Sequence, residues 1–352
     1  MAAKITRDAV ESYLNCKFKG HLKLSGQQGT RCEYETLLTE MRAEVRLAAI
    51  DKILAHHAGE EIPRNIPLTA STLKQGASFL LDATLEDDLV CLPFDGLKKV
   101  DGPSKLGDFH YVPMIFHEGR NVMTEQKLLL EVYGLILSRL QGRSPAYGIA
   151  WHGEDCMATR VRLFPESKKA QQLLGSLTEM ACSDAEPRMF LNDHCQICEF
   201  RQRCHTQAVK EDNLSLLRGM GAKAIARQNQ KGIFTVTQLS YTFRTRRQRK
   251  RVKQPATPHH FALQALALRD KKVFVHGTPT LPCKMARVYF DLEGDPESKS
   301  YYLIGLVAVV NGVETQQSYW ANGEADQVSI FRSFLDFFGG SSRLFTDPLW
   351  EL

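Results

Sequence analysis

The feature that most constrains this chain is a short cysteine-rich segment, residues 194–205, with the pattern Cys195-x2-Cys198-x5-Cys204. Two cysteines separated by two residues can direct both thiols at one metal ion, and a third can join them from the start of a following helix. Such a site needs a fourth ligand. Cys16 is the best candidate, because it lies in a basic N-terminal segment that can fold back on the later cysteines. The spacing therefore predicts a metal centre that joins distant parts of the chain.

The identity of the metal stays open at this point. Four thiolate ligands suit an iron–sulfur cluster of the [4Fe–4S] type. Zinc is the alternative, with Cys195, Cys198 and Cys204 completed by His194 or His205. Burial of the three cysteines without a metal is the remaining interpretation.

The other cysteines are interpreted from the expected setting of the chain. The N-terminal residues contain no continuous apolar segment of the secretory type, and nowhere do about 18 apolar residues run together. We therefore expect a cytoplasmic, reducing setting without membrane association, in which cysteines bind metals or pack as thiols. The cysteines interpreted as packing residues are Cys32, Cys91, Cys156, Cys182 and Cys283.

The hydrophobic pattern predicts an α/β protein of more than one domain. With 352 residues, 43% of them hydrophobic, the chain can form two or three domains with their own cores. Apolar residues at helical spacing predict helices over 6–24, 34–57 and 124–141. Short β-type runs predict strands over 78–83, 89–92, 109–116, 147–152 and 158–164. We place an α/β domain at 1–210, a helical module with a basic linker at 211–260, and a further α/β domain at 270–352.

One carboxylate in the first domain is a candidate for metal-dependent chemistry. Hydrolysis of a phosphodiester bond on a divalent ion needs carboxylates to hold the metal and a lysine to position or activate the water. Asp95, in the segment LPFDGLK, is the best-placed acid, and Glu35 or Glu44 on the first long helix can supply a second. The competing interpretation of Asp95 is a turn residue before Gly96.

The cysteine spacing and the Asp95 segment together resemble the iron–sulfur nucleases of the bacterial RecB-like class, such as the AddB helicase-nuclease subunit and the exonuclease of CRISPR adaptation. This resemblance implies a PD-(D/E)XK-like nuclease fold over the first domain. It also implies a [4Fe–4S] cluster, held by Cys16, Cys195, Cys198 and Cys204, that joins the two ends of that domain. Asp95 would then bind Mg²⁺ or Mn²⁺ for cleavage of DNA or RNA.

The sequence departs from this family at several positions. On the strand after the metal-binding aspartate the family carries an acid, one further residue and a lysine, whereas Ile115 and His117 stand at the acid and lysine positions here. The following helix keeps the family's tyrosine as Tyr133, but Leu129 replaces its glutamine. Glu118 or His117 can substitute as a ligand, but an isoleucine cannot bind a hard cation. A copy that keeps the fold and lacks the activity is one expectation that follows.

The segment after the cysteines is typical of nucleic-acid backbone binding. Gly219 and Gly221 form a Gly-x-Gly turn before a predicted helix that carries Lys223, which resembles a helix-hairpin-helix unit. The N–H groups of such a turn can approach a phosphate closely without reading sequence, and a two-helix connector is the alternative. The run from 244 to 253 is either a solvated basic segment or a set of further phosphate contacts. Those predicted contacts are Arg246, Arg247, Arg249, Lys250 and Arg251.

The last predicted domain begins with an apolar strand that carries Asp291 and Glu293. Residues two apart on a strand share a face, so the two carboxylates can hold Mg²⁺ or Mn²⁺ together. The segment resembles the first motif of DEDD-type 3′–5′ exonucleases and, more closely, the YprB-type RNase-H-like domain, with residues 301–310 as the second arm of a hairpin. Two-metal chemistry needs further aspartates, and the few residues that follow predict an incomplete, inactive domain. An acid-rich surface turn is the alternative.

Two functions from different classes follow from these features. The first is a metal-dependent nuclease that acts on DNA or RNA and contains a structural iron–sulfur cluster. The second is a non-catalytic protein that binds nucleic acid, or docks on a helicase, with the nuclease fold as its platform. The formal net charge of +5 permits an anionic partner without requiring one.

Overall fold

The computed structural model divides the chain into two compact units, residues 1–274 and 275–352. The residues it describes are 4–153, 155–165, 167–183, 186–244, 260–274, 286–295 and 300–340. The fold is mixed α/β, and its larger sheet combines parallel and antiparallel strands. No helix among the described residues is both long enough and apolar enough to cross a membrane.

Helices and strands follow one another in blocks along the first unit. The helices are α1 (Arg7–Asn15), α2 (Lys17–Leu24), α3 (Glu33–His56), α4 (Ala70–Lys74), α5 (Thr124–Gln141), α6 (Lys168–Cys182), α7 (Arg201–Lys210), α8 (Ala222–Asn229), α9 (Val236–Ser240) and α10 (Phe261–Asp270). The strands are β1 (Ile5–Thr6), β2 (Phe79–Glu86), β3 (Val90–Ser104), β4 (Gly107–His117), β5 (Tyr147–His152) and β6 (Met157–Arg162). Short 3₁₀ helices cover Asp193–Gln196 and Leu214–Leu216.

A mixed sheet organises this unit, with β3 at its centre. β3 is antiparallel to β2 and β4 and parallel to β1. β4 continues into β5 through a parallel pairing, and β5 pairs antiparallel with β6. Alternate residues of a strand face opposite sides of a sheet, and both sides of this one are covered. Residues of α1, α5 and α6 pack on one side and residues of α3 on the other.

The predicted helices agree with the structure except at Cys16. Those predicted over 34–57 and 124–141 are confirmed as α3 and α5. The helix predicted over 6–24 is instead broken, because Cys16 has an extended backbone (φ −160°, ψ 121°) that separates α1 from α2. The apolar residues on each side of the break pack in different clusters, Val10 against the sheet and Phe18 against the cysteine segment. Because of the break, apolar residues that share one helical spacing pack in two separate clusters.

The interpretation of Asp95 and Gly96 as a turn is wrong. Both lie inside β3, where Gly96 pairs with Leu81 of β2 and with Met114 of β4. A side chain at Gly96 would overlap the methyl group of Met114, so the glycine reflects close packing between strands. Asp95 is consequently a buried strand residue, 6% exposed.

Two smaller apolar clusters complete the first unit. One contains Phe18 and Leu22 of α2 together with Phe200 of the cysteine segment, so it joins the start of the unit to residues near 200. The other joins the 3₁₀ turn at 214–216 to α8, α9 and α10. These helices fall in and after the region predicted as a helical module.

The second unit is a three-stranded antiparallel sheet with one helix. It contains β7 (Ala286–Asp295), β8 (Ser300–Val310), β9 (Val313–Trp320) and α11 (Gln327–Gly340), with a 3₁₀ turn at Glu324–Asp326. The predicted hairpin is confirmed as β7 and β8. α11 packs on one side of the sheet, where Ile304 and Leu306 are buried and the rings of Phe290 and Phe334 lie 5.5 Å apart.

Candidate metal centre and carboxylate cluster

The four cysteines predicted as metal ligands lie close together. Cys16 stands at the break between α1 and α2, Cys195 in the 3₁₀ turn, Cys198 just after it, and Cys204 near the start of α7. Cys198 and Cys204 are buried in an apolar cluster that Cys16 also contacts. Burial, together with the nearby thiols of the other three, raises the pKa of Cys204 to about 12. The four thiols are therefore near enough to influence one another electrostatically.

Backbone N–H groups point at two of the sulfur atoms. The N–H of Asn192 donates to Cys195 Sγ (3.3 Å) and the N–H of Phe200 donates to Cys198 Sγ (3.5 Å). Burial raises the pKa of both thiols, and these hydrogen bonds act against it. Hydrogen bonds of this kind stabilise a sulfur that carries negative charge, as in a metal–thiolate site.

The donor set suits a soft metal. Four thiols in an apolar pocket match the ligands of zinc and of iron–sulfur clusters, whereas Mg²⁺ prefers oxygen. Within the described residues, however, no group of three or more His, Cys, Asp or Glu side chains could hold a metal ion as it stands.

The two histidines of the zinc alternative lie in different surroundings. His194 is partly buried, and its Nε2 accepts from the ammonium of Lys19 at 3.4 Å, since an ammonium can only donate. Burial and the charge of Lys19 lower the pKa of His194 to about 4. His205, next to Cys204 on α7, is exposed.

Charged side chains that the sequence reasoning missed surround the cysteine segment. Lys19 and Lys23 project from α2 onto Glu199, which stands beside Cys198, at 3.7 Å and 2.8 Å. Lys19 also contacts Glu35 at 3.2 Å. Glu35, one of the two candidates for a second acid beside Asp95, is therefore bound by Lys19 of α2 instead. A signal was present in the sequence, because Lys19 and Lys23 are four apart on a helix and so share a face.

The carboxylate of Asp95 is bound by two arginines and a backbone amide. Its Oδ1 accepts from Arg7 Nη1 at 2.6 Å and from Arg46 Nη1 at 3.4 Å. Its Oδ2 accepts from the backbone N–H of Phe116, on the neighbouring strand, at 2.9 Å. Both oxygens of this buried carboxylate are thus already bound by donors.

A second acid, Asp82, belongs to the same cluster and was missed by the sequence reasoning. The pairing of β2 with β3 brings Asp82 close to Asp95, and Arg46 forms a salt bridge with each of them. Arg64 contacts Asp82 as well, at 3.1 Å. Asp82 has a φ of 55°, in the left-handed region that only glycine adopts freely. An arginine, Arg46, thus lies between the two carboxylates.

The cluster extends to α1 and the end of β4. Arg42 binds Glu118 through two hydrogen bonds, of 2.7 and 3.0 Å, and also reaches Glu11 at 3.0 Å. Glu11 is bound in turn by Arg7 at 2.7 Å. Burial alone would raise the pKa of Glu118, but hydrogen bonds from His117 and Arg42 lower this pKa to about 2. The network is defined by four acids and four arginines: Glu11, Asp82, Asp95, Glu118, Arg7, Arg42, Arg46 and Arg64.

The positions aligned with the nuclease family lie on β4 and on α5, next to β3. Ile115 is buried in the core, and His117 contacts Glu118 at 3.4 Å. The hydroxyl of Tyr133 donates to the carbonyl of Pro93 at 2.9 Å. Burial, with the charge of Asp95 adding to it, raises the pKa of Tyr133 well above its ordinary value. Leu129, at the family's glutamine position, is buried apolar core, and Glu44 is exposed.

The predicted phosphate-binding turn is exposed. Gly219 has a φ of 78°, and Gly221 begins α8 without a side-chain hydrogen bond to cap it. A Cβ at Gly221 would meet nothing within 4 Å, and Lys223 is exposed on the first turn of α8. By contrast, the start of α9 is occupied by the chain itself, since Asp212 accepts from the N–H of Thr237 at 2.8 Å. Arg246, Arg247, Arg249, Lys250 and Arg251 lie outside the described residues.

Asp291 and Glu293 lie on β7, not in a turn, so the surface-turn alternative is wrong. Across the hairpin they pair with Gly305 and Leu303 of β8. Residues paired in this way point to the same side of the sheet, which is the side opposite the buried Ile304. Both carboxylates are exposed.

No protein-family profile matches this chain, and no curated protein matches it. The described residues form a mixed α/β protein with adjacent cysteines at one end of its first unit and a carboxylate–arginine network against its main sheet.

Proposed function

We propose that this chain is a nucleic-acid-binding protein of the RecB-like nuclease class that keeps the nuclease fold and has lost metal-dependent cleavage at its Asp95 site. The observation that carries the proposal is the salt bridge between Arg7 and Asp95, 2.6 Å long and largely buried. A metal-binding aspartate needs its oxygens for the metal, whereas Asp95 gives both to arginines and a backbone amide.

The PD-(D/E)XK-like fold of the first domain is part of this proposal. Its support is that residues aligned with separate family motifs adjoin one network although they are distant in sequence. Asp95 lies on β3, His117 on the neighbouring β4, and Tyr133 on α5, where its hydroxyl donates to the carbonyl of Pro93 on β3 at 2.9 Å. A chance match of short motifs gives no reason for this convergence.

Charge balance argues against a divalent ion in the network. Four carboxylates face four guanidinium groups, so no negative charge remains to attract Mg²⁺ or Mn²⁺. Arginine also stays protonated at any ordinary pH and cannot act as the general base. Ile115 supplies neither a ligand nor a proton acceptor. The network therefore has the composition of a set of structural salt bridges rather than that of a hydrolytic site.

The second part of the proposal is a structural metal centre held by Cys16, Cys195, Cys198 and Cys204. A [4Fe–4S] cluster suits four thiolates, with zinc as the alternative. Such a centre would connect the N-terminal helices to residues near 200, and so close the domain. The metal itself supplies cross-linking rather than chemistry in this proposal.

Nucleic acid is the proposed partner because of the exposed turn before α8. Uncapped N–H groups at a helix start favour a phosphate, and Arg218, Lys223 and Arg227 are exposed around that turn. The basic run at 244–253 would add phosphate contacts that do not depend on the nucleotide sequence.

A second candidate function is supported by Asp291 and Glu293. The two carboxylates share one exposed side of β7, as a pair that binds Mg²⁺ or Mn²⁺ would. The YprB-type RNase-H-like exonuclease assignment of residues 270–352 depends on this pair. It requires further acids to complete a two-metal site.

One set of assays separates these functions. Fluorescence anisotropy with short labelled single-stranded DNA, duplex DNA and RNA, in buffer without divalent ions, tests binding. Incubation of the same oligonucleotides with Mg²⁺ or Mn²⁺ tests cleavage by the natural chain and by Asp95→Ala and Asp291→Ala. We expect binding that weakens with salt, and no cleavage that depends on Asp95. Cleavage lost only in Asp291→Ala would favour the exonuclease, and an absence of binding would leave a protein partner such as a helicase.

A further inference from the structure

A lysine of α2, three residues after Cys16, is buried beside the cysteines. Lysine is almost never buried without a partner, yet Lys19 is only 8% exposed. Its ammonium lies 3.2 Å from Glu35 Oε1, 3.7 Å from Glu199 Oε1 and 3.4 Å from His194 Nε2. His194 and Glu199 flank the Cys195–Cys198 segment. Lys19 therefore holds both ends of that segment against α2.

The two carboxylates near Lys19, Glu35 and Glu199, differ in their other contacts. Glu199 makes shorter contacts with Lys23 Nζ (2.8 Å) and with the N–H of Gly29 (3.0 Å). Glu35 gives one oxygen to Lys19, while its Oε2 is buried with no hydrogen-bond partner among the described residues. Two carboxylates and two ammonium groups therefore meet in this pocket, and their charges balance before any thiol ionises. Thiolates would add negative charge, and Lys19 is a buried cation in contact with residues on both sides of Cys195 and Cys198.

The position of the Lys19 ammonium follows from these contacts. It lies 3.4 Å from His194, the residue before Cys195, and 3.7 Å from Glu199, the residue after Cys198. A charge in a partly dehydrated pocket acts on a neighbouring ionised group more strongly than it would in water.

We infer that Lys19 is a positioning residue of the cysteine metal centre, whose buried ammonium offsets the negative charge of the ligating thiolates and fixes the 194–199 segment. The inference rests on the proposed four-cysteine centre and assigns to it a residue that is not a ligand. Groups just outside the ligands of a metal site commonly change its affinity by about 10- to 100-fold. Glu35 should act with the opposite sign, because it adds negative charge to the same pocket.

The test uses the full chain, stripped of metal under reducing conditions and titrated with Zn²⁺ or Co²⁺ against a chelator of known affinity. Lys19→Met removes the charge and keeps most of the volume, and Lys19→Arg keeps the charge. Lys17→Met is the matched control, because Lys17 is exposed on the same helix. We expect Lys19→Met to lower the Zn²⁺ affinity by about 10-fold or more. Lys19→Arg and Lys17→Met should stay within about threefold of the natural chain.

The variant Glu35→Gln shows whether Lys19 affects the metal affinity through its charge or through packing. It should raise the Zn²⁺ affinity, whereas a purely structural Lys19–Glu35 pair predicts a loss. This variant also decides the question if Lys19→Met does not fold, as judged by circular dichroism. If the purified protein contains an iron–sulfur cluster, Lys19→Met should shift its reduction potential to more negative values, since a nearby cation favours the reduced form.

Two kinds of result would overturn the inference, and they can be told apart. Unchanged affinity in Lys19→Met, or a loss in Glu35→Gln, removes the role of Lys19 and leaves the metal centre in place. A natural chain that takes up neither Zn²⁺ nor Co²⁺ removes the metal centre and this inference with it.

Discussion

The guanidinium of Arg7 lies 2.6 Å from the carboxylate of Asp95, 88 residues away in the sequence, and closes α1 onto the central strand β3. The two side chains are only 16% and 7% exposed. Breaking a buried ion pair by removing one partner is costly, because the other charge is left buried. We predict that Arg7→Met lowers the free energy of unfolding of the first unit by about 3 kcal/mol, measured by equilibrium urea denaturation.

The matched control for this prediction is Lys4→Met. Lys4 and Glu86 form an ion pair of similar length, 2.7 Å, but their side chains are 41% and 61% exposed. Exposed pairs contribute less than about 1 kcal/mol. Equal losses in the two variants would mean that the Arg7–Asp95 contact is no stronger than an ordinary surface pair.

The sequence predicts the outline of both sites because their local patterns are strong. The spacing of Cys195 and Cys198 predicts that the two residues lie together without knowledge of the fold, and the strand predicted over 89–92 lies close to Asp95 in the sequence. The arginine partners of Asp95 could not be predicted in this way. Arg7 and Arg46 reach it only because α1 and α3 pack at β3, and that packing is set by contacts between residues far apart in the sequence.

The break at Cys16 was missed for a related reason. Apolar residues recur at helical spacing through α1 and α2, and periodicity alone cannot show that Val10 and Phe18 pack in different clusters. Glu35 illustrates the same limit, since its place on a helix could be predicted but its partner, Lys19, depends on how α2 and α3 meet.

Acid should weaken the network through Glu118. Its pKa is lowered from 4.5 to about 2 in the folded chain, so its contribution to stability is present above about pH 4.5 and is lost as the pH falls toward 2. The shift corresponds to roughly 3 kcal/mol. Urea denaturation at pH 7, 4 and 3 should therefore show a smaller pH dependence in Glu118→Gln than in the natural chain. Identical pH dependences would contradict the assigned role of Glu118.

Removal of the arginines should convert the network into a divalent-ion site. In the double variant Arg7→Met, Arg46→Met, Asp95 loses both of its arginine partners and Asp82 keeps only Arg64. We predict that Mn²⁺ raises the melting temperature of this variant and not that of the natural chain, measured by differential scanning fluorimetry. The control is Arg7→Lys, Arg46→Lys, which keeps both charges and should not respond. Equal stabilisation of the natural chain by Mn²⁺, retained in Asp291→Ala, would show that its arginines do not exclude the ion.

Binding of nucleic acid should depend on the turn before α8. Lys223→Ala and Arg218→Ala each remove one exposed cation beside that turn. Each should weaken binding to all sequences alike and lower the slope of log affinity against log salt by about one. Lys74→Ala, which removes an exposed lysine from α4, is the control and should have no effect. A loss confined to one oligonucleotide sequence would argue against backbone recognition.

The most direct test of the account is metal analysis, with a visible absorption spectrum, of protein purified without oxygen. We predict about four irons per chain and a broad visible band, or one zinc without colour. In either case the metal should be lost in Cys204→Ala and retained in Cys91→Ala, which changes a cysteine outside the cluster. A natural chain that contains neither metal, or that keeps its metal in Cys204→Ala, would contradict the four-cysteine centre.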